Sequence, residues 1–243
     1  MSQAKRPASS PLHHPADGPP PRTGEELELA DPERALAVAY APAGLRVGLS
    51  ALFALDERFG GIVSSTSEPM IGLMRLAWWR EALEKLDRDP APAEPLLGLI
   101  AGEVLVRGVT GAALAAIEDG WTALIDGEPD ADAITRHGRE RGGNLFLAAA
   151  ALLGADDPRL ATAGEVWALT DLGFRHSNAG VREAALARAT ILSAGLPAGR
   201  WQFAARPLAA LFILARRDAQ AGCRTQARPD RLLRMLALRL TGR

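Results

Sequence analysis

Residues 44–86 read GLRVGLSALFALDERFGGIVSSTSEPMIGLMRLAWWREALEKL. Leu and Ala dominate here, as they do across the chain, and Val and Ile are sparse. No run alternates polar with apolar residues over the length of a strand, so the local preference is helix. The spacing predicts helices over about 44–59 and 67–87, the second opened by Ser67 as cap ahead of Glu68-Pro69. Between them, Gly60-Gly61 and Ser64-Ser65-Thr66 weaken helix and read as a connection.

Outward from this stretch the same bias continues. Order is expected to begin near Asp31-Pro32-Glu33, where Asp31 caps, Pro32 suits the first helical position and Glu33 favours the positive end of the dipole. A helix over 33–41 follows. Residues 88–95 read as a linker, and further helices fit about 95–107, 110–126, 130–153 with a break near Gly142-Gly143, 158–176, 179–194, 203–221 and 229–240. Residues 1–27 are proline-rich and polar and are expected to be a flexible tail, in which His13-His14 is too isolated to bind metal. The fold class is therefore all-α, with one helical domain over 28–243.

Composition narrows the function classes. At 243 residues, 48% apolar and 23% charged, the chain can bury a sizeable core. Basic and acidic residues number 28 and 29, a balance that argues against a nucleic-acid partner. The single cysteine, Cys223, excludes an intrachain disulfide and fits a reducing compartment. With no long uncharged apolar run and no apolar leader, the expected location is cytoplasmic, with attachment to a membrane surface as the further option. That option rests on residues 200–243, where ten arginines face only Asp218 and Asp230. Within them Leu232, Leu233, Leu236 and Leu240 form an apolar stripe, with Arg231, Arg234 and Arg239 elsewhere on the helix.

The opening stretch resembles the squalene/phytoene synthase family. Arg46, Ala51-Leu52-Phe53-Ala54 and Leu76-Ala77-Trp78-Trp79-Arg80 match its arginine, its A-L-Y-A-F-like helix and its W-W-R-like helix. Where the family carries D-D-x-x-D, this chain has Gly60-Gly61-Ile62-Val63-Ser64. Residues 136–154 are similar to the later Y-x-x-x-V-A-G helix, with His137 near the tyrosine and Gly142-Gly143 at the kink. Residues 163–178 are similar to its G-x-A-x-Q-L-T-N-I-L-R-D helix: Gly164, Leu169 and Thr170 match, Asp171 falls on the asparagine, and Phe174-Arg175 replace the arginine and aspartate. The resemblance implies an isoprenoid synthase-like bundle around a central cavity, with the helices at 44–59 and 158–176 facing each other across it.

In that family magnesium ions bridge a departing diphosphate to carboxylates on two facing helices, which requires several acids on one face. Asp56 and Glu57 lie one turn before Gly60 and read as helix-surface acids, and Asp171 is the one acid left near the second motif. The expectation is thus no metal and no catalytic residue, with magnesium as cofactor only in the alternative of an active prenyltransferase. The residues that can retain ligand binding are Arg46, Arg75, Trp78, Trp79 and Asp171. Arg46 and Arg75, with Arg139 or Arg141, are the candidates for a residual anion site, because a guanidinium binds phosphate without metal. Trp78, Trp79 and Trp167 read first as core, and the resemblance adds a role lining a prenyl tunnel. His137 and His176 lack partners at metal-ligand spacing. The functional expectation is a non-catalytic relative acting as a binding or assembly module, whose partners are an isoprenoid or other lipid, a protein, or an anionic membrane surface reached through the basic C-terminal segment. Ser67–Trp78, reading S-E-P-M-I-G-L-M-R-L-A-W, is similar to a branch of the family that assembles respiratory complex I.

Overall fold

The computed structural model describes residues 27–125, 127–226 and 228–243. The expected tail, with His13 and His14, lies outside the described residues apart from Leu27. Among the described residues the chain is all helix and turn, with no strand, as the Leu/Ala bias requires. The helices are α1 (Pro32–Tyr40), α2 (Arg46–Ser65), α3 (Pro69–Lys85), α4 (Pro95–Glu103), α5 (Gly111–Ala115), α6 (Glu118–Thr122), α7 (Ala131–Arg136), α8 (Asn144–Leu153), α9 (Leu160–Arg175), α10 (Ala179–Gly195), α11 (Arg206–Ala221) and α12 (Pro229–Thr241). Their buried apolar side chains form one contiguous cluster. α9 runs through its middle, packed on α8, α10 and α11, while α2 packs on α1, α3, α4, α6 and α8.

Local signals account for several ends. Asp31 caps α1, accepting from the amides of Glu33 at 2.9 Å and Arg34 at 3.3 Å, with Pro32 in the first turn. Glu94, Thr110, Asp130 and Asn178 cap α4, α5, α7 and α10 in the same way.

Four expectations are corrected. α2 does not stop before Gly60-Gly61 but continues to Ser65, where Thr66 Oγ1 donates to the Ile62 carbonyl at 2.6 Å. Gly60 is a close-approach glycine: a Cβ there would lie 2.9 Å from the Trp121 ring, whereas one on Gly61 would meet nothing within 4 Å. α3 is not capped by Ser67; Glu68 holds the cap position and its carbonyl accepts from Ile71 and Gly72. The helix expected over 110–126 is divided into α5 and α6 by a tighter turn, in which the Ile117 and Gly120 amides donate three residues back, to Leu114 and Ile117, and Asn144 Nδ2 donates to the Ala116 carbonyl at 3.2 Å.

Gly142-Gly143 does not break its helix either. α7 and α8 are joined by a π-helical stretch, His137–Gly143, whose wider turn presses against α9. The contact is glycine to glycine: a Cβ on Gly142 would collide with the Gly164 carbonyl, and one on Gly164 with the Gly142 carbonyl.

The two glycines of α2 are therefore expected to respond oppositely. Gly61→Ala should raise the unfolding free energy by about 0.5–1 kcal/mol through helix propensity alone. Gly60→Ala should lower it by about 1–3 kcal/mol, because Trp121 must move. Urea denaturation of both variants checks this, and equal behaviour would disprove the close packing of Gly60 on Trp121.

Candidate functional site

At the centre of the bundle α2 and α9 present one carboxylate each, and a single guanidinium lies between them. Arg141, from the π stretch, grips Asp56 with both prongs of its fork, Nε to Oδ1 at 2.7 Å and Nη2 to Oδ2 at 2.9 Å. The same Nη2 reaches Asp171 Oδ2 at 2.9 Å. From α1, Arg34 stands 3.1 Å from Asp56 Oδ2 and 3.8 Å from Asp171 Oδ2. The other oxygen of Asp171 accepts from Arg175 Nε at 2.8 Å and Arg224 Nη1 at 3.0 Å, and the other oxygen of Asp56 accepts from Trp121 Nε1 at 3.0 Å. Arg34, Asp56, Arg141 and Asp171 are all buried.

Aromatic rings enclose these ions. The Arg141 guanidinium lies 4.2 Å from the Trp121 ring centroid and 4.8 Å from that of Trp167, which Arg34 also faces at 4.8 Å. Beyond Asp171 the network runs on to a second node. Arg224 and Gln226 reach Asp31 at 3.4 and 2.8 Å, and Arg231 of α12 forks onto both Glu33 and Asp218.

Burial alone would push the carboxyls of Asp56 and Asp171 up, because it penalises the charged form. The guanidiniums outweigh it. Arg141 and Arg34 hold Asp56 below the usual carboxylate range, and these two with Arg175 and Arg224 hold Asp171 well below it. Burial would lower Arg141, but Asp56 and Asp171 raise it above the ordinary arginine value. His137 completes the coordination of Arg141. Its Nδ1 lies 2.8 Å from the Gly120 carbonyl, a contact that requires the proton there, so its Nε2 accepts from Arg141 Nη1 at 3.1 Å. Burial, and then the charge of Arg141, push His137 down to about 3, so the ring is neutral.

A cleft of about 560 Å³ opens beside this centre, with Gly60, Gly61, Trp121, Asp171 and His176 among its walls. The residues do not fit a magnesium cluster. Every oxygen of Asp56 and Asp171 already faces a nitrogen donor, and among the described residues no three His, Cys, Asp or Glu side chains are grouped to hold a metal ion. At Gly60, the first position of the lost acidic motif, the Trp121 ring occupies the space a side chain would need.

Of the five residues expected to retain ligand binding, Asp171 lies in the centre, while Arg46, Arg75, Trp78 and Trp79 do not join it. Arg46 is half-buried at the start of α2, about 15 Å along the helix from Asp56, and donates to the Ala41 carbonyl at 3.1 Å. Arg75 and Trp78 are exposed on α3, and with Trp79 they line a separate groove of about 290 Å³. Trp79 is buried edge-on to Phe59 at 6.2 Å. Arg139 is exposed and paired with Glu140, so Arg141 alone of the expected arginine group reaches the centre. Asp56, expected on the helix surface, is buried, because Arg141 and Trp121 take its oxygens; Glu57 is partly buried beside Arg34. Sequence reading missed Arg34, Trp121 and Arg224 altogether. The available hint was the four-residue spacing of His137 and Arg141, which stacks the two on one helical face.

The sequence model of squalene/phytoene synthase matches residues 27–171, more than half of the chain, and ends on the central aspartate of α9. The chain belongs to the squalene/phytoene synthase family. No curated protein matches it, and neither does any solved structure.

Two outcomes are expected of the centre. Arg141→Leu leaves two buried carboxylates without their shared partner and should cost about 3–5 kcal/mol of unfolding free energy, measured in urea; a cost under about 1 kcal/mol would show that other donors suffice. His137 gives a pH signature of known sign. The folded ring stays neutral down to about pH 3 while the unfolded ring protonates near 6.5, so its contribution is complete above pH 6.5 and is lost as pH falls. The slope is about 1.4 kcal/mol per pH unit. Asp56 and Asp171 lose theirs only below the ordinary carboxylate range, so the window from pH 6.5 to 5 isolates the histidine. His137→Gln should flatten stability there.

Proposed function

We propose that this chain is a non-catalytic member of its family, which keeps the helical shell and uses it for binding or assembly. The observation that carries the reading is the occupation of both facing carboxylates by arginine, with Arg141 shared between them. An enzyme that ionises a prenyl diphosphate needs carboxylates free to bridge magnesium to the leaving group, a contribution of several kcal/mol to the barrier. The centre is also balanced in charge: Arg34, Arg141, Arg175 and Arg224 face Asp31, Asp56, Glu57 and Asp171. It therefore offers no excess of positive charge to a free diphosphate.

The cleft supports a binding role, because about 560 Å³ is room enough for a small apolar or amphiphilic molecule. Val63, Leu124 and Leu172 give it apolar wall beside the ions. The likeness of Ser67–Trp78 to the complex I assembly branch supports a protein partner as the alternative cargo.

Incubation with farnesyl or geranylgeranyl diphosphate and magnesium, followed by product analysis, tests the reading. No squalene or phytoene above a protein-free control is expected. Sustained product formation that Asp171→Ala abolishes would place the chain among the enzymes and overturn the proposal.

A further inference from the structure

The last helix carries two faces of different kinds. Arg231, Met235 and Leu238 turn inward, and α12 packs on α11 through them. Leu232, Leu233, Leu236 and Leu240 fall within about 100° of one another on the opposite side. All four are exposed, by 41 to 69%. Four exposed leucines in one row form a continuous apolar face, unlike the single apolar residues scattered over an ordinary surface, and such a face marks an interaction site. Phe203, also exposed, lies beside the end of the row under the Arg239 guanidinium at 4.3 Å.

The charge around the row is of one sign. Of the arginines in residues 200–243, Arg224 and Arg231 are turned inward to acids and Arg206 donates to the carbonyls of Arg239 and Leu240. Arg216, Arg228, Arg234 and Arg243 are exposed. The two acids of the segment offset only part of this charge: Asp218 is buried under Arg231, and Asp230 pairs with Arg217 at 2.7 Å and Arg228 at 3.3 Å, which leaves Arg216, Arg234 and Arg243 uncompensated within the segment. The helix is also anchored rather than loose, since Arg206 secures its C-terminal carbonyls and Trp201 donates to Gly242 at 2.8 Å.

We propose that α12 is an interfacial membrane helix, with its leucine row in the acyl boundary of an anionic bilayer and its flanking arginines on the lipid headgroups. Charge complementarity selects this occupant. A second copy of the chain would bring the same arginines against these, whereas anionic lipid neutralises them at about 1 kcal/mol each. No helix among the described residues is long and apolar enough to cross a membrane, so the attachment is lateral. The inference stands apart from the cleft and holds whether or not the cleft takes a ligand.

Sedimentation of the full chain with phosphatidylcholine vesicles, with and without phosphatidylglycerol, tests it. Binding is expected to the anionic vesicles alone and to weaken with salt. Leu233→Glu with Leu236→Glu should reduce the partition coefficient at least about tenfold, and Arg234→Gln or Arg243→Gln about fivefold each. These positions are exposed, so circular dichroism and the thermal midpoint should not change, which separates lost binding from lost folding. Absence of vesicle binding overturns the proposal, as does equal binding to both compositions or binding that the leucine variants leave intact. A dimer in light scattering that Leu233→Glu dissociates would overturn it in favour of a second copy on this face.

Discussion

Arg141 is the residue on which the centre depends. It is buried, forks onto Asp56, shares a nitrogen with Asp171 and lies against Trp121 and Trp167. Desolvating these three groups costs several kcal/mol per ion, and the cost is offset only when every donor and acceptor is met at short range. Here they are met. His137 takes a further donor of the guanidinium, and Arg34, Arg175 and Arg224 take the remaining carboxylate lone pairs. Such a centre is rigid because no member can leave without stranding another charge.

The same arrangement shows how this family frame accommodates the acids that remain at its centre. Acids buried together between helices need cations to offset their charge. This chain has glycines at the first two positions of the first acidic motif, lets Trp121 fill the space at Gly60, and answers the remaining acids with guanidiniums. Part of that cation supply comes from beyond the matched segment 27–171, since Arg175 and Arg224 bind Asp171, and Arg231 binds Glu33 and Asp218. The C-terminal helices thus serve the electrostatics of the N-terminal ones.

What the sequence could state was whatever is decided within a few residues. Asp31-Pro32 marks the start of α1, and the Leu/Ala bias sets the helical class and the order of helices. The facing of α2 and α9 was legible through the resemblance of the two motif regions, though not from any local preference. Interactions across the chain were not legible. Asp56 looks like any helix acid until Arg141, 85 positions away, arrives beside it. Gly142-Gly143 reads as a break because glycine weakens helix, yet the structure uses it for close approach to Gly164. The bond from Asn144 to the Ala116 carbonyl, at the junction of α5 and α6, spans 28 residues and leaves no local mark. Arg34 carries no motif, and only the burial of α1 against α2 and α11 turns it inward.

The Arg231 fork joins residues 198 positions apart, tying the first helix to the last. A contact of that span forms late, because the chain must close nearly its whole length to make it. Until α12 docks, Glu33 lacks the Arg231 fork and Asp218 has only Arg224, at 3.8 Å, so the ionic seal is complete only once that helix is in place. Residues 229–241 thus act as a closing latch, since without them Glu33 and Asp218 would lose the one guanidinium that bridges them.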